Sequence, residues 1–93
     1  MTMNKSKQIH INRLQKIRAG LKETKQGLVQ GGELECAEII ASSIVIFDHT
    51  YDFIIKRPEY DMHTITAIGN LYEYCASMVR IVDSLLVTQD TQL

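Results

Sequence analysis

Only two places in this chain interrupt a helical rhythm strongly: the pair Gly31-Gly32 and the single proline, Pro58. Glycine lacks the Cβ that disfavours left-handed backbone, while proline fixes φ and removes an N–H, so both punctuate helices. Elsewhere apolar residues recur at intervals of three and four. No stretch shows the period of two that a half-buried strand requires. Two breaks in 93 residues predict three long helices, and short connections make consecutive helices antiparallel neighbours. The expected fold class is all-α, an up-down-up three-helix bundle in one domain. Helix one should span about 7–30, helix two about 33–56 and helix three about 59–88, with residues 1–6 and 89–93 flexible.

The three helices differ in how much of their circumference is apolar. On helix one, Leu14, Ile17, Leu21 and Leu28 make a narrow stripe, with Thr24 in the missing position and lysines and arginines around the rest. Gly31 is expected to supply the left-handed residue that ends it. Helix two carries Ala37, Ile40, Ala41, Ile44, Phe47, Tyr51 and Ile54 as one stripe and Cys36, Ile39, Val45, Ile46 and Phe53 as a second. The wet strip is expected around Ser42, Ser43, Asp48, His49 and Asp52. Glu33, Glu35 and Glu38 crowd the N-terminus of that helix and Lys56 and Arg57 its C-terminus, both as the helix dipole favours. Pro58 suits the first turn of helix three and pushes Arg57 out of the helical region. In helix three, Ile65, Ile68, Tyr72, Cys75, Val79, Val82 and Leu86 make a heptad seam. Leu71, Tyr74, Met78, Ile81 and Leu85 form a second row beside it.

That second row raises a question of size. A chain this short buries only about 60–65% of its unfolded surface as a monomer, and apolar patches beyond a few hundred Å2 are unusual on monomers. The expectation is a bundle completed by dimerisation or by a partner helix. Net charge of −1 hides an asymmetry. Residues 1–30 hold seven basic side chains and one acid, whereas residues 31–93 hold three basic side chains and ten acids. Because the basic residues are spread through an amphipathic pattern without interleaved aromatics, they read as a basic helix beside acidic ones rather than as a nucleic-acid arm.

Reaction chemistry is not legible in the sequence. Cys36, His49, His63 and Cys75 lack the close ligand pair of a zinc site, and no Glu-x-x-His motif supports a di-metal centre. Cys36 lies near a helix N-terminus, but three glutamates surround it, so it reads as a core thiol. The glycine pair precedes an acidic helix start, a poor phosphate site. No catalytic residue, metal or cofactor is expected. The two cysteines are expected as reduced, buried thiols. No apolar run reaches membrane-spanning length and the basic N-terminus lacks a signal-peptide core, so a cytoplasmic, membrane-free protein is expected.

The segment IRAGLKETKQGLVQGGELECAEIIASSIVIF resembles the second and third helices of the flagellin export chaperones (the FliS family): a helix, a small polar turn, then an acid-alanine helix start. AIGNLYEYCASMVRIVDSLLVTQD resembles that family's NLYDYM helix through Asn70, Leu71, Tyr72, Glu73, Tyr74 and Cys75. Cys75 stands where the family has methionine, the spacing between the two blocks differs by a few residues, and the family's groove-covering N-terminal segment has no counterpart. The resemblance spans roughly residues 17–90 and extends to small helical type III secretion chaperones. It implies a cytoplasmic chaperone for a secretion substrate. From the residues themselves, the expected function is a small chaperone or adaptor holding an amphipathic segment of a protein partner in an apolar groove between helices two and three. Tyr51, Ile54, Leu71, Tyr74 and Met78 should line it, and a homodimer is expected. The alternative is a homodimeric phage- or plasmid-type regulator or inhibitor that uses the basic helix one on nucleic acid or a regulatory protein.

Overall fold

A computed structural model describes residues 4–91; of the segments expected to be flexible, residues 1–3 and 92–93 lie outside it. Three helices account for nearly all of the described chain: α1 (Lys5–Gln30), α2 (Leu34–Lys56) and α3 (Met62–Thr91). Among the described residues there is no strand. Lys7 meets Arg57, Gln15 meets Tyr51 and Arg18 meets Asp48, so α1 and α2 run antiparallel. The central helix is α2, packed on both neighbours, while α1 and α3 barely touch each other.

The helix ends follow local chemistry, with two shifts from the sequence expectation. Asn4 caps α1, its side-chain oxygen accepting from the N–H groups of Ser6 (2.8 Å) and Lys7 (3.3 Å). At the other end the left-handed residue is Gly32, with φ of 79°, and not Gly31, which stays right-handed. Glu33 N–H then donates to Leu28 C=O (2.8 Å) and Gly32 N–H to Val29 C=O (3.1 Å), so two terminal carbonyls are satisfied. Pro58 does not enter the third helix. The Asp61 carboxylate accepts from Thr64 N–H (3.0 Å) and caps α3 three residues further on, leaving Pro58 in the connection and Arg57 extended at ψ 126°.

The core is one continuous seam: Ile11, Leu14, Leu21 and Leu28 from α1, Cys36, Ala37, Ile40, Phe47 and Ile54 from α2, and Ile68, Leu71, Cys75 and Val82 from α3. On α3 this differs from the expected seam by a small rotation. Thr64 and Leu71 are buried, whereas Ile65 and Val79 are 42% and 43% exposed. Burying Thr64 is possible because its hydroxyl donates to Asp61 (2.9 Å) and accepts from Arg57 Nε (3.2 Å). Tyr72 moves to the margin, where its hydroxyl shares a 2.9 Å hydrogen bond with His10 Nδ1. Ser43, expected to be wet, is 2% exposed and returns its hydroxyl to the Ile39 carbonyl at 2.8 Å. Lys7 is also fully buried, its ammonium donating to the Arg57 carbonyl at the C-terminus of α2, where the helix dipole is negative.

Candidate protein-docking surface

The five residues expected to form one surface divide among three environments. Ile54 and Leu71 are core residues, at 0% and 2% exposure, and are not available to a partner. Tyr51 lies on the α1 side, stacked on Phe47 with centroids 5.8 Å apart, and its hydroxyl accepts from Gln15. Only Tyr74 and Met78 meet in a groove between α2 and α3, which has a volume of about 350 Å3 and is shared with Ile39, Ser42, Glu35 and Glu38. The difference arises because α3 turns Leu71, rather than Tyr72, toward α2.

Beyond that groove α2 carries a repeat the sequence displays but does not assign to a face. Ile39, Ile46 and Phe53 follow one another at intervals of seven on α2, with Ser42 and His49 between them in a 3-4 pattern. On α3, Tyr74 and Ile81, and Met78 and Leu85, are likewise seven apart. Residues at this spacing share a helix face, and such a row is what another helix packs upon in a coiled coil. With α2 and α3 antiparallel and Tyr74 beside Ser43, the α2 row runs on toward Phe53, while Ile81 and Leu85 lie toward the other end and line a separate opening with Ser77, Arg80, Ser84 and Thr88. The structure covers these rows in part: Ile46 is 48% exposed, Phe53 44% and Ile81 45%, while Ile39 packs against the core and Tyr74 and Met78 are half-buried. Phe53 has the Arg57 guanidinium 5.3 Å above its ring, which shelters one of its faces.

A second opening lies between α1 and α3, where the outer helices diverge. This trough, of about 510 Å3, has Leu21 and Cys75 at its floor, Ile17, Tyr72 and Val79 on its walls, and Gly20 and Ala76 at its rim. The His10–Tyr72 bond and the stacking of His10 on Tyr60, at 6.4 Å, tie α1 to the start of α3 at one end. Burial pushes the Tyr72 hydroxyl above its ordinary pKa, with Arg13 pulling the other way.

Neither opening carries reactive groups. Burial raises the pKa of both thiols; for Cys36, Glu33 and Glu35 add to the effect, so the thiolate is disfavoured at neutral pH. Among the described residues no three potential ligands converge on a metal position, and no buried side-chain polar atom lacks a partner. None of the helices is long and apolar enough to cross a membrane. The basic character of α1 is partly spent inside the bundle. Arg18 grips Asp48 with two hydrogen bonds, of 2.7 and 3.0 Å, and Lys7 caps α2. Arg18 holds the Asp48 carboxyl below the usual carboxylate range. No family model, curated protein or solved structure matches the chain.

Proposed function

We propose that this protein is a helix-binding adaptor or small chaperone that docks an amphipathic segment of a protein partner in the α2–α3 groove. One observation carries the reading: α2 and α3 each bear a second heptad row, and no other described element fully covers either. Water-exposed isoleucine and phenylalanine on one face of α2 oppose solubility, and burial against a partner helix relieves that cost at about 25 cal/mol per Å2 of apolar area. The narrower form, a cytoplasmic chaperone of a secretion substrate, is supported by the resemblance across residues 17–90. Self-association into a homodimer would use the same rows.

The test is a photo-crosslinking residue placed at Tyr74, with a control at Lys16 on the polar side of α1, in the native cell extract. A partner captured at position 74, absent from the control and lost when Ile46→Ser is added, meets the proposal. Identical capture at both positions, or none at 74, contradicts it. The regulator reading through α1 makes a different demand. It requires sub-micromolar nucleic-acid binding whose logarithm falls linearly with log salt, and the internal use of Lys7 and Arg18 weighs against it.

A further inference from the structure

We infer that the occupant of the α2–α3 groove is a basic amphipathic helix, with lysines or arginines placed against Glu35 and Glu38; this deepens the docking reading and rests on it. At the end nearest the N-terminus of α2 the groove is charged with one sign, whereas the far end of the row carries Arg57 over Phe53. Glu35 and Glu38 line the near end, and no lysine or arginine does. Neither carboxylate takes part in an ion pair among the described residues, whose three salt bridges use Asp48, Asp52 and Asp61. The dipole of α2 accounts for Glu35 in the first turn. Glu38 lies beyond that turn, where the dipole effect has faded. The α1–α3 trough differs in having Arg80 among its lining residues and no acid.

The repeat fixes the form of the partner. Ile39, Ile46 and Phe53 span fifteen residues of helix, a row of about 21 Å, which a partner helix of roughly four turns would cover. Apolar residues at 3-4 spacing on that helix would sit over the row, and the flanking positions nearest the N-terminus of α2 would meet the two glutamates. A phosphate-bearing occupant is disfavoured by the same carboxylates.

The experiment uses the full chain and two labelled synthetic peptides of about three heptads, identical in their leucine positions, one flanked by lysines and the other by glutamates. Fluorescence anisotropy should show the lysine peptide binding roughly tenfold more tightly than the glutamate peptide, since exposed ion pairs contribute modestly and two act together. The preference should shrink with added salt and in the Glu35→Gln, Glu38→Gln variant, while Ile46→Ser and, separately, Phe53→Ser weaken both peptides. Circular dichroism confirms that each variant is folded. Equal binding of the two peptides, lost in Ile46→Ser, overturns the charge inference but leaves the docking reading standing. Binding of neither peptide, or binding indifferent to both variants of the α2 row, overturns the docking reading as well. A dimer of the chain alone that dissociates on Ile46→Ser makes a second copy the occupant and overturns the inference.

Discussion

The inner and outer rows of α3 are written in nearly the same alphabet and have opposite fates. The inner row of Ile68, Leu71, Cys75 and Val82 is at most 5% exposed, while the outer Ile81 and Leu85 stand at 45% and 37%. Both repeat at seven, and hydropathy alone does not rank them. What separates them is how their polar neighbours are satisfied. The inner face can include Thr64 because Asp61 and Arg57 meet its hydroxyl, and the face carrying Tyr72 stays marginal because its hydroxyl reaches His10. An apolar repeat therefore says that a helix face wants covering, and polar groups decide which face is covered within the chain.

The largest effects should come from the inner side. Phe47→Ala removes a fully buried ring in the central helix and should cost about 3–5 kcal/mol in urea unfolding, enough to leave a domain of this size partly unfolded. Leu71→Ala should cost about 2–4 kcal/mol, whereas Val79→Ala, at an exposed position only eight residues along the same helix, should cost less than about 1 kcal/mol. A larger cost at Val79 than at Leu71 would return α3 to the rotation expected from the sequence. Next comes Lys7→Met, which keeps the packed stem but leaves the Arg57 carbonyl without its donor. A loss of about 1–3 kcal/mol by the same assay is expected.

Acid should produce a smaller change. The carboxyls of Asp48 and Asp61 are held below their ordinary pKa, Asp48 first by its hydrogen bond from Arg18 and Asp61 first by the Thr64 N–H. A depressed folded pKa means stability that is present above the unfolded value near 4 and is lost as pH falls through the folded value. The urea midpoint should thus hold from pH 7 to 5 and decline below about 4. Because the Arg18–Asp48 pair is 37% and 46% exposed, Asp48→Asn should remove no more than about 1 kcal/mol at pH 7 and flatten part of the acid slope.

Much of this architecture was legible in the sequence. Gly31-Gly32 and Pro58 divide the chain correctly, and the helical period between them establishes class and topology. The residues misplaced by sequence reasoning are those whose position depends on a distant partner. Lys7 reads as one more solvated lysine, yet it is buried because its ammonium reaches the end of α2 ahead of Pro58. Ser43 reads as wet, yet its hydroxyl is answered one turn back by Ile39. Tyr74 and Met78 do share a groove, while Ile54 and Leu71 belong to the core. One residue of rotation on α3 changes which apolar neighbour faces inward, and no local signal ranks Leu71 above Tyr72. The heptad Ile39–Ile46–Phe53 is visible as a second stripe, but only the packed structure shows that Ile46 and Phe53 stay exposed among the described residues.

The smallest expected effect tests the central claim most directly: the outer rows contribute little to the fold of the single chain. Equilibrium urea unfolding of the Ile46→Ser, Ile81→Ser double variant should match the wild type to within about 1 kcal/mol, two exposed substitutions costing about 0.5 kcal/mol or less each. A loss of several kcal/mol would contradict the account, because it would make the outer rows part of what holds the protein folded rather than a surface kept for a partner.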